Sequence, residues 1–411
     1  MKKALPFYQV GHWPTLLSAF LYFDVSFMVW VLFGALGNHV AAEFGLDPAQ
    51  KGLMTAVPLL GGSLLRLLFG YSTDRLGAKW TACLGMAATL LPLLAGWLWV
   101  DSLPKLYLVG LLLGVAGASF AAALPLASRW YPAEHQGLAL GIAGAGNSGT
   151  LLATFFAPRL AETLGWRAVF GLATIPIALV AAVLVTCAKE APGRGTGPKR
   201  ANFTAVLKQQ DTYWFSLFYG VTFGGFVGLA SFLAIFLHDQ YGVAKVRAGD
   251  LVTLCVFAGS FLRPVGGWLA DRWGGFRMLT LLYVGIVALA LEVAAAHSLA
   301  TAVTLLFLLM ACLGLGNGSV FELVPLRYRE DVGVATGILG AAGGLGGFLL
   351  PMLLGSLKQA LGSYAAGFVA FSGLAGAALL GVTLVGRPGL RPVRAAAGPA
   401  VSLPLEETEV I

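Results

Sequence analysis

Two arginines, Arg66 and Arg263, lie inside stretches that otherwise read as membrane-spanning helix, "GGSLLRLLFGYSTDR" and "AGSFLRPVGGWLADR". A cation at the bilayer centre costs roughly 2.5 to 3.5 kcal/mol even on insertion scales, so each guanidinium demands a compensating group. Its rigid planar fork of donors suits a small planar oxyanion better than a lysine ammonium would. Two carboxylates, Asp24 in "LYFDVSF" and Glu322 in "NGSVFELVP", also fall in apolar runs. Either they hold a proton during the working cycle, or they pair permanently with the arginines; the residue types allow both.

The elements that must position these groups are membrane helices. Of 411 residues, 58% are hydrophobic and 11% charged, with a mean hydropathy of +0.82. That composition excludes an ordinary soluble enzyme. Apolar runs recur at the length of a helical span, not in the short alternating pattern of a barrel. Twelve spans are predicted near 15–38, 52–71, 80–99, 106–130, 137–160, 167–188, 212–238, 249–269, 278–297, 300–326, 333–358 and 365–386. With both termini cytoplasmic, seventeen Lys and Arg fall on inside segments and seven outside, which fixes the orientation in the cytoplasmic membrane. The basic residues therefore reflect topology, and no nucleic-acid-binding stripe is formed. The start of the chain reads as a retained first helix.

Other chemistries find no motif. There is no phosphate-binding loop, the five histidines do not cluster, and Cys83, Cys187, Cys255 and Cys312 lack a metal-ligand spacing. No metal or cofactor is expected.

The chain divides into two copies of one unit. Arg66 precedes Asp74-Arg75 by eight residues, Arg263 precedes Asp271-Arg272 by eight, and the copies lie 197 residues apart. The Gly-rich stretches "GIAGAGNSGTLLATFFAP" and "GILGAAGGLGGFLLP" repeat likewise. The boundaries are a six-helix bundle over 1–188, a cytoplasmic linker over 189–210, a second six-helix bundle over 211–386 and a disordered tail over 387–411. Arginines at equivalent positions of such a repeat face each other across a central cavity near the membrane midplane. Gly141, Gly144, Gly146 and Gly149 in the fifth span, and Gly337, Gly340, Gly343 and Gly344 in the eleventh, allow close helix packing about which the bundles can rock.

The loops "GYSTDRLGAK" and "GWLADRWGGFR" resemble those joining helices 2 to 3 and 8 to 9 of the major facilitator superfamily. The resemblance implies an all-α fold of twelve transmembrane helices in two pseudo-twofold related bundles. It also implies a cytoplasmic gate at Asp74, Arg75, Asp271 and Arg272, with the carboxylates pairing to Arg75, Lys79, Arg272 or Arg277. More narrowly, "GLALGIAGAGNSGTLLATFFAP" and "GVATGILGAAGGLGGFLLP", with the two arginines, resemble the nitrate/nitrite porter family over about residues 15–386. That resemblance implies nitrate and nitrite as substrates, clamped by Arg66 and Arg263. It further implies that Asn147 and Tyr219 orient the anion and that Phe120 and Phe223 wall it.

Importing an anion against an inside-negative potential costs about 2.3 kcal/mol per 100 mV, so uniport does not accumulate it. The two carboxylates, Glu322 and Asp24, tilt the expectation toward nitrate/proton symport. Electroneutral nitrate/nitrite exchange is the alternative, and a transporter for another small anion such as formate, or a membrane sensor on the same fold, are the competing classes. The expected unit is a monomer in the lipid bilayer.

Overall fold

The computed structural model describes residues 10–191, 203–328 and 332–386. The predicted tail at 387–411 and linker residues 192–202 lie outside the described residues. Regular structure among the described residues is entirely helical, and eleven helices are long and apolar enough to cross a membrane. The remaining crossing element is α1, broken into Trp13–Trp30, Leu32–Ala35 and Gly37–Phe44. There follow α2 (Pro48–Arg75), α3 (Ala78–Leu98), α4 (Leu103–Gly117 and Phe120–Ser128) and α5 (Ala133–Gly144, a 3-10 turn at Ala145–Ser148, and Gly149–Leu164). The first unit ends with α6 (Trp166–Cys187). Beyond the linker come α7 (Gln210–Tyr241), α8 (Lys245–Trp273), α9 (Gly275–Ala295), α10 (Leu299–Arg327), α11 (Val332–Leu361) and α12 (Ala365–Val385).

Local sequence explains the helix ends. Asp47 and Gln50 form a reciprocal capping box and Pro48 occupies the first turn, so α2 starts at a defined residue. Both duplicated Asp-Arg loops turn through a glycine with positive φ, Gly77 at 100° and Gly274 at 90°. Side chains with a Cβ rarely adopt that conformation, which accounts for the glycine in each copy.

The predicted spans run α1, α4 and α5 as continuous helices. The structure breaks each of them: after Trp30, before Phe120, and around Asn147. The break in α4 replaces the regular bond to Gly117 with a tighter one, Ala121 N–H donating to Ala118. The Gly117 carbonyl is thereby released for a side chain.

The two units meet along α1 with α7, α2 with α11, and α5 with α8. On the face away from the linker this seam is shut. Lys51 Nζ lies 2.8 Å from Asp239, Arg159 Nη2 lies 2.6 Å from Asp250, and Asn38 Nδ2 donates to the Ala234 carbonyl at 2.8 Å. Small residues let the backbones touch: a Cβ on Gly52 would stand 2.5 Å from the Pro351 oxygen, and one on Gly34 2.4 Å from the Ser231 oxygen. Partly exposed ion pairs contribute about 1 kcal/mol or less each, so close helix packing holds this seam and the charges only dress it. On the linker face a cleft enters between α2, α4 and α11, bordered by Arg66, Gly70, Tyr71, Asp74, Arg129 and Gly337. The molecule is closed on the far face and open toward the linker face.

Candidate functional site

Arg66 is 1% exposed. Its Nε donates to the freed Gly117 carbonyl at 3.1 Å and its Nη1 to the Gly340 carbonyl of α11 at 2.5 Å, so one guanidinium ties the two units together. Its Nη2 is buried without a hydrogen-bond partner among the described residues. Three rings enclose it, with Cζ 5.1 Å from the Trp30 centroid, 5.5 Å from Phe120 and 4.9 Å from Phe223. Ring faces stabilise a cation by about 0.5 to 2 kcal/mol each, so the cage offsets part of the desolvation that burial imposes.

Arg263 approaches the same Phe120 ring from the other unit at 5.9 Å and packs 5.7 Å from Phe321. Its Nη1 is likewise buried and unpartnered. The two predicted arginines thus converge, with Phe120 between them. Tyr219 and Phe223, one turn apart on α7, stack at 5.0 Å with an interplanar angle of 10°, and Phe321 meets Tyr219 edge-on at 4.9 Å. The Tyr219 hydroxyl is fully buried, lies close to Arg263 without a well-formed hydrogen bond among the described residues, and is within electrostatic reach of both arginines. Asn147 sits in the 3-10 turn of α5, fully buried, with both amide atoms unpartnered among the described residues.

Neither arginine has a carboxylate within ion-pair distance among the described residues, which removes the permanent ion pair as an alternative. Asp24 accepts a hydrogen bond from Ser148 Oγ at 2.7 Å, at the contact of α1 with α5. Glu322 turns away from the arginines: its Oε2 lies 2.5 Å from where a Cβ on Gly275 would stand, at the start of α9 and within electrostatic reach of Asp271.

The linker-face charges pair differently from expectation. Asp74 bonds Arg129 at 3.0 Å, at the end of α4, rather than Arg75 or Lys79. Lys79 is engaged by Glu190 through its backbone N–H and by the Val185 carbonyl through Nζ. Arg75 lies over Tyr71 at 5.1 Å and Arg272 over Trp268 at 3.9 Å, while Asp271 has no ion pair among the described residues. None of these contacts bridges the two units, as an open linker face requires.

The glycines divide in the same sense. A Cβ on Gly146 would stand 2.8 Å from Phe23, on Gly149 1.8 Å from the Asp24 oxygen, on Gly343 2.6 Å from Tyr219 and on Gly344 2.9 Å from Ser63. Gly340 makes ordinary contact with Arg66 at 3.6 Å. Gly141, Gly144 and Gly337, predicted as packing positions, meet nothing within 4 Å among the described residues. Gly149→Ala therefore lowers the unfolding temperature in detergent sharply, since overpacking costs about 1 to 3 kcal/mol where backbone cannot yield. Gly144→Ala leaves it unchanged or raises it, because alanine is the better helix former. Equal losses in both variants, by fluorescence-detected melting, would contradict the assignment of close contact to Gly149 and not to Gly144.

Trp30 and Phe321 are the site residues that the sequence reading misses. Trp30 had a signal, as Phe23, Phe27 and Trp30 fall on one helix face and their rings contact in series at 4.6 and 5.0 Å.

The model of the Major Facilitator Superfamily matches residues 18–327. The chain is similar to "Nitrite extrusion protein" of Bacillus subtilis (strain 168), 34% identical over 351 residues that span 85% of this chain and 88% of that one. It is 31% identical to "Probable nitrate transporter NarT" of Staphylococcus haemolyticus over 84% of this chain and 89% of that one. Among solved structures, a bacterial homologue of the human lysosomal transporter Spinster in an inward-facing and occupied conformation superposes with a TM-score of 0.68. At 21% identity, over 90% of this chain and 96% of that one, it shows the shared fold. Taken with the convergent arginines and the duplicated glycine-rich helices, these likenesses make the chain a member of the major facilitator superfamily and, within it, of the nitrate/nitrite porter family.

Proposed function

We propose that this chain carries nitrate and nitrite across the cytoplasmic membrane by alternating access, with the linker face cytoplasmic and one chain sufficient as the transporting unit. The observation that carries the reading is the pair of converging guanidinium groups that, among the described residues, lack a carboxylate partner and keep buried N–H donors unpartnered. A flat delocalised anion meets charge from both units, donors from Asn147 and Tyr219, and the aromatic surfaces of Phe120 and Phe223. The ring enclosure favours such an anion over formate, whose C–H edge gives the donors less to bind.

The coupling best supported by this arrangement is exchange. An unneutralised pair of cations in a low-dielectric passage resists closure around itself, so the empty carrier does not readily cycle and an anion must accompany each turn. Exchange of one monovalent anion for another also moves no net charge against the membrane potential. Proton symport has its own support in Glu322, a half-buried carboxylate turned toward Gly275 and away from the arginines, whose Oε2 has no hydrogen-bond partner among the described residues.

Uptake of external nitrate into proteoliposomes separates these. Uptake that needs internal nitrite or nitrate and ignores an imposed proton gradient is expected. Uptake into anion-free vesicles driven by an inward proton gradient replaces exchange with symport, and movement of neither anion overturns the reading.

A further inference from the structure

Asn317 belongs to none of the contacts described so far. It is fully buried in α10, and neither Oδ1 nor Nδ2 has a hydrogen-bond partner among the described residues. An amide kept in such a place is costly unless it meets a ligand or changes partners during the working cycle.

Three placements give it a role. Phe321 lies one turn further along the same helix face and touches Tyr219 and Arg263, so that face of α10 is turned to the anion site. Gly318, its neighbour, brings the helix onto the Arg263 backbone, where a Cβ would stand 2.1 Å from the carbonyl oxygen. The duplication then sets Asn317 opposite Gly117: Ser119 and Pro125 of α4 match Ser319 and Pro325 of α10 at an offset of 200. In the first unit that position supplies a fixed carbonyl to Arg66. In the second, among the described residues, no carbonyl holds Arg263 and its Nη1 is unpartnered, and the position carries a rotatable amide instead.

We infer that Asn317 is a positioning and selectivity residue for the anion, an inference that rests on the nitrate/nitrite reading above. Its Oδ1 accepts an N–H of Arg263, and its Nδ2 donates to an anion oxygen. Nitrate offers a third oxygen that nitrite lacks, so a donor entering from α10 discriminates in favour of nitrate.

The test is paired nitrate and nitrite uptake kinetics in proteoliposomes of the full chain. Asn317→Leu raises the KM for nitrate by about tenfold or more, as expected when a hydrogen bond to a charged group is lost, and leaves the KM for nitrite within about threefold. Asn317→Asp, which sets a negative charge beside Arg263, weakens both. Asn317→Ser, tolerable even where leucine does not fold, shifts the KM ratio in the same direction by a smaller factor. A purely structural residue would lower the ligand-free melting temperature without moving that ratio. An unchanged ratio in folded Asn317→Leu and Asn317→Ser overturns this inference while wild-type transport stands. A wild-type protein that moves neither anion overturns both.

Discussion

Replacing Arg66 and Arg263 together by leucine abolishes nitrate uptake, and either single Arg→Lys change raises the half-saturating nitrate concentration by about tenfold or more. The asymmetry of the two residues explains why lysine is no substitute. Two of the donor atoms of Arg66 are already committed, to Gly117 and to Gly340, and the remaining Nη2 is held toward the site by that commitment. An ammonium is a single point of charge that cannot span two carbonyls and still present a directed donor to an anion. The ring faces of Trp30, Phe120 and Phe223 also match a flat guanidinium better than a hydrated ammonium. The double leucine variant remains folded, because removing the buried Arg66 charge and the half-buried Arg263 charge facing it relieves unfavourable burial, and its melting temperature in detergent is at or above that of the wild type. Nitrate then no longer raises the melting temperature, which separates lost binding from lost structure. Uptake that persists in the folded double variant would mean that the anion crosses elsewhere.

The architecture was readable because duplication leaves a register that chemistry alone does not explain: the same Arg, Asp-Arg and Gly at one offset, in helices long enough to span. The arginine pair was readable for a related reason, since a cation in an apolar run has few places to be. What the sequence conceals is rotation and partner choice. Phe321 and Glu322 are adjacent, yet successive residues of a helix point about 100° apart. The phenyl ring therefore faces Arg263 while the carboxylate faces Gly275 of α9. Charge attracted attention to Glu322 and away from its neighbour. Asp74 has several cations nearby in sequence, but the end of α4 brings Arg129 to it, and only the packing of α2 with α4 decides that. The breaks in α1, α4 and α5 were hidden for another reason. Glycine and alanine there are compatible with continuous helix, and it is the tight approach of neighbouring backbones, such as Gly149 on Asp24, that selects the broken form.

A disulfide between Thr154→Cys on α5 and Thr253→Cys on α8, in a background lacking Cys83, Cys187, Cys255 and Cys312, reduces uptake to background when oxidised and restores it on reduction. The two threonine hydroxyls are 2.8 Å apart across the seam, one from each unit, so cysteine sulfurs set in their place meet and can bond after a small adjustment. The bond fixes α5 to α8 on the far face, where Arg159 and Asp250 also meet. Those polar contacts are individually weak and exchange readily with water, whereas a covalent bond does not. If the two units rock about the anion, this seam must part once in every cycle, and a lock there stops transport without touching Arg66 or Arg263. Anion binding from the linker face persists in the locked protein, so nitrate still raises its melting temperature. Loss of uptake with binding retained locates the block in the far-face opening. Undiminished uptake by fully cross-linked protein would require a passage that opens without separating α5 from α8, and rigid rocking of the two units would have to be abandoned even though the anion site stands.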